Sequence, residues 1–256
     1  MATSDKKVRL KVHRQDSADA PDTRRWEEFE IPWQPQMNVI SALMEVQKNP
    51  KTADGKSVPP VVWECVCLEE VCGSCTMVIN GKVRQSCTAL VDQISPNGET
   101  ITLEPMTKFP LVRDLIVDRS RMFNDLKKVK AWIQLDGSYE LGPGPRQAQE
   151  NQEEAYPLSR CMTCGCCLEA CPQINPSSKF IGPAAISQVR LFNLHPSGKM
   201  HASERLDALM GEGGIADCGK AQNCAEVCPK EIPLVDSIAV VSRDTTKRML
   251  FGWLLK

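Results

Sequence analysis

The side chains best suited to chemistry in this 256-residue chain are its thirteen cysteines, eleven of which fall into three spaced groups. The first group is Cys67-x4-Cys72-x2-Cys75, with Cys87 following after eleven intervening residues. The second is Cys161-x2-Cys164-x2-Cys167-x3-Cys171-Pro172, and the third is Cys218-x5-Cys224-x3-Cys228-Pro229. Such thiols either pair as disulfides in an oxidising compartment or bind metal as thiolates in a reducing one. The count is odd. The N-terminus, Met-Ala-Thr-Ser-Asp-Lys-Lys, has no apolar signal core, and no Arg-rich transit segment follows it. Metal ligation is therefore the expectation.

The first group has the spacing of a plant-type [2Fe–2S] ligand set. Two irons bridged by two sulfides need four thiolates converging on one small volume. A tight loop supplies Cys67, Cys72 and Cys75, Gly73 lets the backbone wrap close, and Cys87 arrives from beyond a hairpin. The alternative, zinc, favours paired C-x2-C knuckles. The second group is the bacterial ferredoxin run, whose fourth cysteine ligates the other cluster of a pair. The third is its partner with one ligand missing, because Ala221 stands three residues after Cys218. The crossing rule assigns Cys161, Cys164, Cys167 and Cys228 to a [4Fe–4S] cluster. Cys171, Cys218 and Cys224 then hold the other cluster with three thiolates, so a [3Fe–4S] cluster is predicted; a fourth iron kept by water is the alternative. Cys65 competes with Cys67 but would stretch the first spacing, and Cys166 lies inside a loop whose ligands are already set. Both read as packed bystanders. No histidine lies near the first group, which excludes a Rieske arrangement there.

The formal net charge of −1 gives no basic footprint for nucleic acid, and no apolar stretch is long enough to span a membrane. There is no nucleotide-binding glycine fingerprint, phosphate loop or nucleophile elbow. Three clusters without a catalytic constellation make an electron wire, which needs a donor and an acceptor. A free two-domain ferredoxin carrier, a subunit of another oxidoreductase and a zinc-binding interaction module are the competing readings.

Local patterns suggest the elements that hold these groups. Val8–Val12 alternates like a half-buried strand, with Phe29–Ile31 as its hairpin partner. Asn38 is an expected N-cap for a helix ending at Asn49-Pro50. Asn80-Gly81 between Met77–Ile79 and Lys82-Val83 is a hairpin signal, and Ile101–Leu103 is a further strand. The composition changes near Pro110. A helix is expected from Asp114 through Leu115, Met122, Leu126 and Val129 to Ile133, then a loop from Gly142 to Glu154. Further helices are expected at 184–194, at 204–210 with Ser203 opening it and Gly211 closing it, and at 236–251.

Together, the three groups, Cys72-Gly73-Ser74-Cys75, Pro110-Leu111-Val112-Arg113-Asp114-Leu115 and Lys179-Phe180-Ile181-Gly182-Pro183-Ala184 resemble the succinate dehydrogenase and fumarate reductase iron–sulfur subunits over nearly the whole chain. The resemblance implies an α+β architecture. Residues 1–110 would form a β-grasp plant-type ferredoxin domain, and 111–256 an all-α bacterial-type two-cluster ferredoxin domain. It implies a flavoprotein partner with covalent FAD facing the [2Fe–2S] domain, and a membrane anchor with quinone at the [3Fe–4S] end. The complex would lie on the cytoplasmic face of a bacterial membrane. Ubiquinone-type members carry Trp shortly after the Cys-Pro of the second group and His after the first cysteine of the third. This chain has Gln173-Ile174-Asn175-Pro176 and Gly219 there, which resembles the type paired with a dihaem cytochrome b anchor and menaquinone. The C-terminal run from Lys247 to Leu255 places cations beside an apolar, Trp-bearing end. It suits docking on the anchor, the membrane surface or its own domain.

Overall fold

Alternation in Lys7–Arg14 (β1) builds the centre of the first of two units, Met1–Asp118 and Arg119–Lys256. The computed structural model describes residues 6–134, 142 and 144–253. The N-terminal Met1–Asp5, Pro143 and the terminal Leu254 and Leu255 named above lie outside them.

In the first unit Val8, Leu10 and Val12 turn inward from β1, which pairs antiparallel with Arg25–Pro32 (β2), Leu10 opposite Phe29. Helix α1 (Val39–Lys48) follows, and Asn38 caps it as expected, its Oδ1 accepting the Ser41 amide at 2.8 Å. Thr76–Ile79 (β3) and Lys82–Gln85 (β4) form the expected hairpin. Asn80 and Gly81 have φ of 50° and 75°, the left-handed pair a two-residue turn needs. A short helix, α2 (Val91–Ile94), precedes β5 (Ile101–Glu104), which runs parallel to β1 and antiparallel to β3. The sheet order is β2-β1-β5-β3-β4. Leu10, Phe29, Leu43, Val46, Ile79 and Leu103 are buried in one apolar cluster between α1 and the sheet. Burying each such side chain stabilises the fold by about 1.5–3 kcal/mol.

Arg14 continues the inward face of β1, so a charge stands where the pattern calls for an apolar residue. It is 0% exposed, as is its partner Asp114. Arg14 Nε donates to Asp114 Oδ1 at 2.9 Å, and its Nη2 donates to the carbonyls of Pro59 and Pro60. Asp114 also accepts the amides of Gln15 and Val62. This network corrects the helix expected from Asp114. Leu111–Arg113 (β6) and Ile116–Val117 (β7) pair as a ribbon, with Asp114 at φ 46° in its turn. Satisfying a buried carboxylate outweighs helix propensity at that residue. The helix α3 spans only Ser120–Lys128, and Val129 and Ile133 lie beyond it.

The second unit is helical. The expected loop to Glu154 is partly wrong, because Gln149–Ser159 is a helix, α4, with Ala155 and Leu158 buried. Gln and Glu are good helix formers, and Pro157 ends the run only near its last turn. Two four-residue helices not anticipated carry cysteines: α5 (Cys166–Glu169) and α8 (Asn223–Glu226). Longer helices are α6 (Gly182–Leu194), α7 (Ala202–Leu209) and α9 (Leu234–Phe251). Ser203 lies inside α7 and does not cap it; His201 occupies that position without a side-chain cap. Among the described residues no helix is long and apolar enough to cross a membrane.

Candidate iron–sulfur centres

The Cys65–Cys75 loop is folded around sulfur. Leu68, Glu70 and Gly73 all have positive φ, coiling the backbone so that its amides point inward. Cys67 Sγ accepts the amides of Glu69, Val71 and Cys72 at 3.3–3.4 Å. Burial raises the Cys72 thiol, but hydrogen bonds from the Ser74 hydroxyl and amide and from Cys67 outweigh it and bring it to about 6. Cys87 stands at the other extreme: burial, then its hydrogen bond to Cys75, pushes it up to about 12. The β3–β4 hairpin brings Cys87 and Cys75 together, with Ser86 Oγ donating to the Cys75 carbonyl at 2.8 Å. Asn38 Nδ2 holds the Cys87 carbonyl at 2.9 Å, so the α1 cap also braces this end of the loop. Cys65 packs with Cys75, Cys87, Ile40 and Trp63, and burial raises its thiol. The side chains of Val66, Leu68 and Val71 are exposed around the loop.

In the helical unit the thiols sort across the two sequence runs. Cys161, Cys164, Cys167 and Cys228 line one cavity, walled by Met122, Ile181, Ala185 and Leu234. Thr163 and Gly165, with φ of 52° and 90°, make the sharp turns between its cysteines. Burial, then repulsion from Cys164, Cys161 and Cys228, drives the Cys167 thiol well above its ordinary value. Burial likewise raises Cys161. Cys164 is the exception: a hydrogen bond from Cys166, followed by amide bonds and the Arg119 charge, lowers it to about 7 against burial. Cys171, Cys218 and Cys224 line a second cavity of about 610 Å³ together with Ala221, Gln173 and the α9 residues Ile238, Ala239 and Ser242. Burial, then Cys171 and Cys218, raises the Cys224 thiol. Lys220 and Gln222, both at positive φ, flank Ala221, which lines that cavity. The Gln173 side chain lies over Gly219, in the space any Cβ at that position would need.

These surroundings fit iron–sulfur clusters. Among the described residues, no three His, Cys, Asp or Glu side chains close on one point to hold a single metal ion. The thiols instead ring open spaces, as ligands to separate irons around a core of sulfides must. In the buried cavity, self-repulsion keeps the thiols from ionising together unless cationic irons are present to receive them. All thirteen cysteines are free of disulfides.

Comparison with known proteins agrees with the spacing. Residues 9–124 match the family model of a 2Fe-2S iron-sulfur cluster binding domain, and residues 157–232 match that of a 4Fe-4S dicluster domain. The chain is 62% identical over 240 residues to the succinate dehydrogenase iron-sulfur subunit of Bacillus subtilis, covering 94% of this chain and 93% of that one. It is 28% identical over 236 residues to the fumarate reductase iron-sulfur subunit of Wolinella succinogenes, covering 91% and 95%. A chain in the structure of the Mycobacterium smegmatis Sdh1 complex in the apo form shares the fold, with a TM-score of 0.76 at 21% identity over 94% of this chain and 96% of that one.

Proposed function

Because the chain belongs to the family of succinate dehydrogenase and fumarate reductase iron–sulfur subunits, and relays electrons within such a complex, we propose which residues of this chain hold each cluster and which quinone it serves. Cys67, Cys72, Cys75 and Cys87 hold [2Fe–2S]. Cys161, Cys164, Cys167 and Cys228 hold [4Fe–4S], and Cys171, Cys218 and Cys224 hold [3Fe–4S]. Each bound cluster supplies a site that accepts and releases one electron at a time, so a two-electron flavin can be coupled to a quinone in single steps.

The chain's own residues hold and insulate these sites. The amides around Cys67 stabilise negative sulfur near the surface of the first unit. The apolar wall of Met122, Ile181 and Leu234 keeps water from the four-cysteine cavity. The observation that carries the assignment is the crossed sorting of thiols: Cys228 lines the cavity of Cys161, Cys164 and Cys167, while Cys171 lines that of Cys218 and Cys224. Ala221 in the wall of the second cavity supports a three-thiolate cluster there.

As a subunit of such a complex the chain has a flavoprotein and a membrane anchor as partners. Exposed Val66, Leu68 and Val71 around the first loop support a flavoprotein contact there. Met249, Leu250, Phe251 and Trp253, exposed at the end of α9, support an anchor contact on the cytoplasmic side of the membrane. Gln173 and Gly219, which stand side by side where ubiquinone-type members carry Trp and His, support menaquinone with a dihaem cytochrome b anchor. Low-temperature EPR of the anaerobically purified complex tests the assignment. A near-isotropic [3Fe–4S] signal when oxidised, replaced on dithionite reduction by a rhombic [2Fe–2S] signal, is expected. Two interacting [4Fe–4S] signals without the near-isotropic one contradict it.

A further inference from the structure

Arg121 stands in the first turn of α3 with its side chain only 21% exposed and its charge beside the buried carboxylate of Asp125, at 3.7 Å. Its guanidinium closes on three backbone carbonyls of one segment. Nη1 donates to Asn175 at 3.0 Å, and Nη2 donates to Ser178 at 2.7 Å and to Phe180 at 3.0 Å. Residues 172–181 form neither helix nor strand, so no ladder of the segment's own fixes it. Yet it joins the two cavities of the helical unit. Cys171 and Phe180 line the cavity of Cys218 and Cys224, and Ile181 lines that of Cys161, Cys164, Cys167 and Cys228. Phe180 and Ile181 are both buried. The Ile181 amide donates to the Gly213 carbonyl at 2.9 Å, which ties the end of the segment to the approach to Cys218.

A guanidinium presents its donors in a rigid planar fork, and hydrogen bonds from a charged donor are roughly twice as strong as neutral ones. Three carbonyls between residues 175 and 180 therefore share one fixed template. Asp125 already balances the charge on α3, so what Arg121 gives the segment is placement rather than a net field. We infer that Arg121 is a positioning residue for both clusters of the helical unit. By pinning residues 175–180 it seats Phe180 and Ile181 in the two cavity walls and limits water at each cluster. The inference rests on the ligand assignment above. The apolar shell around a cluster controls solvent access and hence its potential. A thiolate-bound cluster is more negative when reduced, so admitted water favours that state and raises the midpoint.

The test is an EPR-monitored redox titration of the assembled complex for wild type, Arg121→Lys and Arg121→Met, with thermal unfolding measured alongside. Lys keeps the charge but not the fork, so in Arg121→Lys the [4Fe–4S] and [3Fe–4S] midpoints should both shift to higher potential. The [2Fe–2S] midpoint, set in the other unit, should stay where it was. Arg121→Met lacks charge and fork alike and should shift both midpoints the same way. Unchanged midpoints in Arg121→Lys overturn the inference even if the Tm falls, because a purely structural residue gives that result. A shift of one midpoint alone overturns it too, since the segment serves both walls. Lowered midpoints in Arg121→Met beside unchanged ones in Arg121→Lys would show that the charge acts directly, and also overturn it. If Arg121→Met does not assemble, Arg121→Lys decides alone. Failure of the ligand assignment shows differently, in the wild-type complex, as absence of the near-isotropic [3Fe–4S] signal.

Discussion

The surface loop carrying Cys67 and Cys72 and the buried cavity around Cys167 treat their thiols differently. In the loop, three backbone amides converge on one sulfur, and hydrogen bonds bring Cys72 down to about 6. In the cavity, burial and mutual repulsion push Cys167 well above its ordinary range, and only Cys164, at about 7, is lowered. The loop of the first site is prepared for negative charge before any metal arrives, whereas Cys87 behind it, at about 12, and the cavity thiols Cys161 and Cys167 depend on the metal's charge to become thiolates. This contrast predicts that the two units respond differently to cluster loss. The helical unit, whose core includes the cavity wall, loses part of its packing with its clusters, whereas the sheet has a separate apolar core.

The largest effect expected is that of Cys167→Ser. It should eliminate the [4Fe–4S] signal and electron transfer to quinone while the [2Fe–2S] signal remains, as read by EPR and quinone-reductase assay. Retention of all three signals would erase the contrast. Next comes Asp114→Ala, which removes one of the two carboxylates paired with buried Arg14, the other being Glu27, and leaves the amides of Gln15 and Val62 without their acceptor. Breaking a buried ion pair costs about 3–5 kcal/mol. Thermal unfolding of the complex should show the first unit melting earlier, with the [2Fe–2S] cluster becoming labile, because the same network fixes Pro59, Pro60 and Val62 just before the cysteine loop.

A smaller change is expected for Asn38→Ala. It removes the cap of α1 and the hydrogen bond to the Cys87 carbonyl, for a loss of about 0.5–2 kcal/mol. Calorimetry should show a modestly lower Tm with the [2Fe–2S] cluster intact. The smallest is Arg248→Ala. Its ion pair with Asp207 joins α9 to α7 at the surface, where water and salt screen it, so little stability should be lost. A Tm shift as large as that of Asp114→Ala would show that the helical unit relies on its surface pairs more than its cavity.

The legible parts of the sequence were those whose chemistry is local. Asn80-Gly81 signals its own turn, Asn38 its own cap, and Val8–Val12 its own buried face. The cysteine groups were legible because cluster geometry dictates spacing within each run, and the missing thiol at Ala221 shows as a gap in a fixed pattern. Asp114 was misread because its partner Arg14 lies 100 residues away, and no local pattern records that contact. Helix α4 was hidden by polar composition, since only Ala155 and Leu158 mark its buried side. The pairing of Gln173 with Gly219 was visible as two departures from the family pattern. That the two residues touch emerged only from the fold.

The central claim is that the second and third cysteine runs exchange ligands, and the most direct test is Cys171→Ser in the assembled complex, followed by low-temperature EPR. Cys171 belongs to the second run by sequence but lines the cavity of Cys218 and Cys224. The crossed arrangement predicts that the near-isotropic [3Fe–4S] signal of the oxidised complex disappears while the [4Fe–4S] signal of the reduced complex persists. Loss of the [4Fe–4S] signal with the [3Fe–4S] signal intact would contradict it.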